Sequence, residues 1–415
     1  MRSTCYILSL LFFLLAMLSK SSVAMFPVVI LLYAWWKRGR IGRRDLLGSA
    51  PFFAVSLGLG LVTIWFQHHR AIVAGHQLAG AISERVAAAG LALAFYLAKS
   101  LWPFGLLPIY PRWDIDPASP LEYLPWLVLA AVAGGCWSRR RTWGRHVLFG
   151  LGFFGLNLLP ALGLVAMAYL RISRVADHFA YLSLLGIIAL AVAGMDPLLV
   201  CEPPGRARPP GPASVMTWIG LAAVVAVLTW QSRRYTEIFH DEETMWSYTV
   251  ARNPAAWVAQ GNLGYVLFQQ GRLPEAMPHY RAALRLNPDY GEAHYNLGTA
   301  LLRLNQVPEA IAEYEQAARL LPDSAGIQNN LGMALVRAGR LPDAGGHFAR
   351  AVQLDPDYGE AHHNFGNALL LTGRFPEAIR QYQETLRLNP GDAAARSGLE
   401  MAERAWQGGS PPTPR

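Results

Sequence analysis

The feature that most constrains this chain is a period of 34 residues in its C-terminal part. Leu263-Gly264 returns as Leu297-Gly298, Leu331-Gly332 and Phe365-Gly366. Ala276 returns as Ala310, Ala344 and Ala378, and Tyr280 as Tyr314, Phe348 and Tyr382. Pro288 returns as Pro322, Pro356 and Pro390, with Pro254 one step earlier. A fixed period of this length marks a stack of supersecondary units, each too small to bury its own apolar face.

The residue types say what each unit is. Gly and Ala at fixed places let two helices approach closely, and the recurring aromatic fills the space between them. The Pro ends the second helix and opens the next unit. Gly271-Arg272, Gly339-Arg340 and Gly373-Arg374 mark the inner turns, and Asn305-Gln306 stands there in the second unit. The pattern predicts four units over 257–392, preceded by a junction and partial repeat at 235–256. A cap helix over 393–407 and a disordered Pro/Gly-rich tail at 408–415 follow. These residues closely resemble the tetratricopeptide repeat, which implies an α-solenoid that binds polypeptide and carries no catalysis of its own.

Asn262, Asn296, Asn330 and Asn364 recur at one phase on the first helix of each unit. Asn is a poor helix former, but its carboxamide donates and accepts, which suits an extended peptide backbone of any sequence. In the repeat family this helix lines the concave groove. The row resembles the asparagine ladder of the O-linked N-acetylglucosamine transferase, although Asn is also common at this position in consensus-like repeats. Tyr265, Tyr295, Asn329, Met333, His363 and Asn367 are its neighbours, and the expected groove is Asn262, Asn296, Asn330, Asn364, Tyr265, Tyr295, Asn329 and Asn367.

The other half reads differently. Charged residues make up only 15% of the chain, against about 25% for soluble domains, and the apolar excess lies before about residue 232. Apolar stretches of membrane-spanning character are Cys5–Leu18, Val23–Trp36, Leu46–Phe66, Val86–Leu107, Leu121–Trp137, Val147–Leu170, Tyr181–Val200 and Val215–Trp230. Residues 1–234 are therefore expected to form a polytopic membrane domain of seven or eight helices. The net charge is +8, yet 257–392 carries 11 Arg against 14 acidic residues, so the basic excess sits in short loops elsewhere. It is a topology signal and gives no nucleic-acid surface. Lys20, Lys37 and Lys99 are the only lysines, a bias that reads as a GC-rich bacterial genome. Cys5, Cys136 and Cys201 are far apart, with no zinc or disulfide spacing.

Basic clusters at 37–44, 139–145 and 206–208 are expected in the cytoplasm. An odd number of stretches between the first two requires one not to cross. Val86–Leu107, interrupted by Lys99, Pro103 and Gly105, is the one expected to be re-entrant or interfacial. The repeats then fall on the outer, periplasmic side of the inner membrane.

Four pieces of this half resemble the transmembrane and tetratricopeptide-repeat O-mannosyltransferases, a C-type glycosyltransferase family. They are Leu18-Ser19-Lys20, Leu101-Trp102-Pro103 with Tyr110, residues 175–182 (Val-Ala-Asp-His-Phe-Ala-Tyr-Leu), and the 235–254 junction. The resemblance implies a polyprenyl-phosphate sugar donor; no other cofactor and no metal is expected. That family carries its catalytic acid in a first outer loop, which has no counterpart before Cys5. The expectation is an N-terminally truncated gene model or a relative without catalysis, so the catalytic residues are unknown. Arg171, Arg174, Asp177 and His178, at the outer end of a span, are the candidate contacts to a lipid phosphate, with snorkelling and an Arg–Asp pair as the plain alternative. Asp114 and Asp116 read as loop solvation, and His68, His69 and His76 make a poor metal set.

The expectation is an all-α protein, with a polytopic transmembrane helical domain followed by an α-solenoid. Its partners are membrane lipid and polypeptide held in the groove, as part or relative of a glycosyltransferase acting on exported proteins. The alternative is a non-enzymatic membrane adaptor.

Overall fold

The computed structural model describes residues 2–66, 81–164, 169, 172–199 and 212–408, all helices and turns. The chain divides into two compact units, Met1–Asn253 and Pro254–Arg415.

In the first unit, α1 (Arg2–Ser19), α2 (Phe26–Arg38) and α3 (Arg43–Phe66) come first, followed by α4 (Ile82–Leu101). An irregular stretch over 102–119 then leads to α5 (Leu124–Ser138), α6 (Gly144–Leu158), α7 (Leu184–Leu199), α8 (Pro212–Glu237) and α9 (Glu242–Arg252). The small residues explain the close approaches. A Cβ on Gly90 would lie 2.6 Å from the Trp126 ring, whose Nε1 donates to the Val86 carbonyl at 2.7 Å. A Cβ on Gly186 would lie 2.5 Å from the Gly150 carbonyl, so α6 and α7 touch through their backbones, as small residues permit between apolar helices. The core gathers Ala92 and Tyr96 of α4, Leu107 and Tyr110 of the irregular stretch, Phe154 and Leu158 of α6, and Val175.

Outside this core the surface is heavily apolar: Leu57 and Leu61 of α3, Leu127 of α5, Ile188 of α7 and Ile219 of α8 are all exposed. Among the described residues, two helical stretches, Arg43–Phe66 and Pro120–Ser138, are long and apolar enough to cross a membrane, and Thr4–Ser19 and Leu184–Gly194 are shorter apolar helices. The helix α4 runs unbroken over 20 residues and buries Ala87 to Gly90, Ala92 and Tyr96. Its Lys99 lies in the last turn, where Nζ donates to the carbonyls of Phe104 and Gly105 and closes the turn that follows. The junction helix α9 packs onto the first unit: Tyr248 Oη donates to the Leu106 carbonyl at 3.3 Å and Asn253 Nδ2 to the Ile109 carbonyl at 3.2 Å.

In the second unit, the first helices of the repeats are α10 (Trp257–Gln269), α12 (Gly291–Arg303), α14 (Ala325–Arg337) and α16 (Gly359–Leu371). Their partners are α11 (Leu273–Leu286), α13 (Val307–Leu320), α15 (Leu341–Leu354) and α17 (Phe375–Leu388), and α18 (Ala393–Gly408) closes the stack. Each repeated glycine lies against the repeated aromatic. An added Cβ would stand 2.9 Å from the Tyr280 ring at Gly264, 3.0 Å from Tyr314 at Gly298, 2.6 Å from Phe348 at Gly332 and 2.9 Å from Tyr382 at Gly366. Three inner turns use Gly at positive φ, and Asn305 (φ 60°) takes the same left-handed conformation in the second repeat, which Asn tolerates better than most residues. The arginine after each Gly pairs with an acid three residues on: Arg272 with Glu275, Arg340 with Asp343, Arg374 with Glu377.

Candidate functional site

Two places in the molecule bring together the residues singled out in the sequence, one in each unit.

In the first unit, pieces that are distant in sequence meet at Asp177. Its Oδ1 accepts from Tyr110 Oη at 2.7 Å and its Oδ2 from Tyr235 Oη at 3.1 Å. Lys99 acts on the same carboxylate, and Lys20 and Asp177 both act electrostatically on the neighbouring His178. Residues from the four stretches noted in the sequence, Lys20, Tyr110, Asp177 with His178, and Tyr235, thus lie around this Asp–His pair. Burial holds the Asp177 carboxyl above the usual carboxylate range, while the two tyrosine hydroxyls and Lys99 pull it back. The backbone beside it is pinned as well, because Ala176 N donates to Tyr96 Oη at 2.8 Å.

Two expectations change here. Arg174 pairs through Nη2 with Glu84 at the start of α4, and its side chain is only 12% exposed, so its charge is already matched. Asp177 is occupied by two hydroxyls and serves as a tie between elements. His178 remains exposed, as does Lys20. Arg171, with His68, His69, His76 and Cys201, lies outside the described residues. Asp116 caps its own turn by accepting from Ala118 N at 2.9 Å. No group of three or more His, Cys, Asp or Glu fit to hold a metal occurs among the described residues.

In the second unit, Asn262, Asn296, Asn330 and Asn364 are all half-buried on the first helices. Asn330 Nδ2 donates to Tyr295 Oη at 2.9 Å, and Asn364 Nδ2 to Asn329 Oδ1 at 3.0 Å. Both bonds join one repeat to the residue 35 positions earlier. Asn329 is fully buried, so it holds two repeats together and does not line the groove as expected. Its depth follows from its place one residue before the ladder position, on the side of the helix turned to the next repeat. Tyr265 is 43% exposed, its hydroxyl accepting from Gln269 Nε2 at 2.7 Å. Tyr295 is half-buried, and Asn367 Oδ1 accepts from Tyr382 Oη at 2.7 Å.

A second polar row was not anticipated. In every repeat a His on one helix meets a Gln or Glu 19 residues away on the other: His279 with Gln260 at 2.8 Å, His294 with Glu313 at 2.6 Å, His347 with Gln328 at 2.8 Å and His362 with Gln381 at 2.7 Å. His294 and His362 also bond the carbonyls of Pro288 and Pro356, both at 3.0 Å. The signal was present as His and Gln/Glu at fixed phase. It was hidden because the two residue types change sides between repeats.

Family models described as "TPR repeat" and "Tetratricopeptide repeat" match residues 264–305, 295–359 and 335–401. Residues 264–401 are tetratricopeptide repeats. The chain is also 28% identical over 146 residues to the protein O-mannosyl-transferase Tmtc2 of Drosophila melanogaster, covering 35% of this chain and 14% of that protein. It is 27% identical over 190 residues to the protein O-mannosyl-transferase TMTC1 of Mus musculus, covering 45% of this chain and 19% of that one. The matches thus span less than a fifth of those relatives' own length. Among solved structures, the TPR protein YrrB, whose structure is described as having an unusual peptide-binding site, is 24% identical over 39% of this chain and 84% of its own, with a TM-score of 0.37. MamA is 22% identical over 36% of this chain and 82% of its own, at 0.35.

Proposed function

We propose that this chain is a multi-pass inner-membrane protein whose tetratricopeptide repeats, on the periplasmic side, hold extended polypeptide. The observation that carries the reading is the row of half-buried carboxamides at one phase of the first helices. Such a row supplies donors and acceptors to a backbone without selecting its side chains. The exposed apolar faces of α3, α5, α7 and α8 support a lipid setting for the first unit, since a soluble monomer rarely exposes so much contiguous apolar surface.

The likeness to protein O-mannosyl-transferases supports a role beside lipid-linked sugar transfer to exported proteins. In that setting the first unit would meet a polyprenyl-phosphate sugar through His178 and Lys20, with Asp177 fixing the loop that presents His178. A plain membrane adaptor uses the same repeats without the sugar.

The test is binding by the full chain in nanodiscs. Labelled carboxymethylated α-lactalbumin, which is permanently unfolded, should raise its anisotropy on titration, and native α-lactalbumin should not. Equal binding of both forms, or of neither, refutes the reading. An alkaline phosphatase fusion after Gln407 should be active in cells, and an inactive fusion with an active cytoplasmic reporter places the repeats inside.

A further inference from the structure

The four asparagines are not equivalent. At the boundary of the second and third repeats, Asn330 Nδ2 donates to Tyr295 Oη at 2.9 Å, and Tyr314 Oη donates to Thr299 Oγ1 at 3.0 Å. The rings of Tyr295 and Tyr314 lie 6.0 Å apart. This foursome is satisfied internally.

Moving it back by one period of 34 gives Gly261, Tyr265, Tyr280 and Asn296. Here every link is broken. Gly261 has no side chain for Asn296 to meet, and none can be added, because a Cβ would lie 2.6 Å from the Tyr290 ring. Tyr265 replaces Thr299, and its hydroxyl accepts from Gln269 Nε2. Tyr280 is fully buried, yet its Oη has no hydrogen-bond partner among the described residues. The side chains of Asn262 and Asn296 likewise make no hydrogen bond there. A buried hydroxyl without a partner is unfavourable, and the exposed Tyr265 stands beside this one, so a polar group admitted past Tyr265 would satisfy it.

Resting on the polypeptide-binding reading above, we propose that the first two repeats hold the peptide backbone through Asn262, Asn296 and Tyr280 Oη. Asn330 and Asn364 act between repeats as structural locks. The ligand is one or two backbone amide units of an extended chain, seated at the boundary of the first and second repeats. A carboxamide and a hydroxyl together match the N–H and C=O of a peptide group. Tyr265, exposed and held by Gln269, is the side chain beside Tyr280 that turns to admit them.

The experiment compares four variants of the full chain in nanodiscs: Asn296→Ala, Tyr280→Phe, Asn330→Ala and Tyr314→Phe. Each is titrated with carboxymethylated α-lactalbumin below its unfolding temperature, and its thermal unfolding is recorded. Asn296→Ala and Tyr280→Phe should each weaken binding about fivefold to tenfold, the worth of one hydrogen bond. Their unfolding temperatures should stay level or rise, since Ala favours helix and the phenyl ring removes an unpaired buried hydroxyl. Asn330→Ala and Tyr314→Phe should unfold earlier and bind within about twofold of wild type. Equal binding losses in both pairs, with wild type binding intact, overturn the division alone. Failure of wild type to bind overturns this inference and the polypeptide reading together.

Discussion

Replacing glycine by alanine in the third repeat should have opposite effects 13 residues apart. At Gly332, on α14, the added methyl would stand 2.6, 2.8 and 2.9 Å from three carbons of the Phe348 ring. Phe348 is only 1% exposed, so the ring cannot swing away without disturbing the α14–α15 interface. Overpacking of this kind costs about 1–3 kcal/mol. Helix propensity returns up to about 1 kcal/mol, leaving a net loss of roughly 0–2, toward the upper end because all three approaches fall under 3.0 Å. At Gly345, on α15, the same methyl meets nothing within 4 Å. Only the propensity gain acts there, and Gly345→Ala should stabilise by about 0.5–1 kcal/mol. Hydrogen exchange read on α14 and α15 peptides of the full chain gives the local opening free energy. Protection should fall in Gly332→Ala and rise in Gly345→Ala. If both variants move the same way, helix propensity outweighs the helix–aromatic contact and the account of the repeated glycine is wrong.

Two further outcomes follow from the second unit. Asn305→Gly should stabilise the second inner turn by roughly 0.5 kcal/mol, since glycine meets φ 60° without a Cβ penalty; a lower unfolding temperature would show that the Asn side chain supplies something the turn needs. The histidine pairs should titrate in opposite senses. His294 bonds both the Glu313 carboxylate and the Pro288 carbonyl, and those bonds lift it above the usual histidine range against burial, the largest single influence, which lowers it. Its stabilisation is complete below the unfolded histidine value and is lost as pH rises through the folded one. Burial depresses His279 and His347, whose partners are neutral glutamines. Their contribution is present above the unfolded value and lost as pH falls through the folded one. Exchange corrected for intrinsic rate should show α12–α13 loosening as pH rises above the ordinary histidine value, and α10–α11 with α14–α15 loosening as pH falls below it. Glu313→Gln should abolish the first trend and leave the second, and a trend unchanged by Glu313→Gln would refute the charged pair.

What could be read in the sequence follows the length scale of each interaction. The repeat stack was legible because its contacts recur: Gly264 against Tyr280 is repeated three times more, and repetition reveals a contact without coordinates. The inner turn at Asn305 was legible for the same reason, as the odd residue in a fixed place. The ladder asparagines were found, but not their inequality. Whether Asn296 or Asn330 has a partner depends on a residue 35 positions back, and Gly261 there carries no side chain to announce its effect. Asn329 was misplaced because one residue along a helix turns a side chain by about 100°, enough to move it from groove to interface. The histidine row escaped since Gln260 with His279 and His294 with Glu313 exchange roles.

In the first unit the distance between cause and effect is longer still. Asp177 is 67 residues from Tyr110 and 58 from Tyr235, and no period links them. The motif pieces were visible one by one, and only the fold explains why they occur together: two tyrosine hydroxyls bond a half-buried carboxylate, with Lys99 acting on it electrostatically, where α4, the irregular stretch, the 175–182 loop and α8 meet. This also accounts for the fate of Arg174. Three residues before Asp177, it extends the same tie through Glu84 to the start of α4. A loop fixed on both sides in this way leaves His178 exposed. In the proposed lipid-sugar setting, the groups that these ties leave exposed, and so open to a phosphate, are His178 and Lys20.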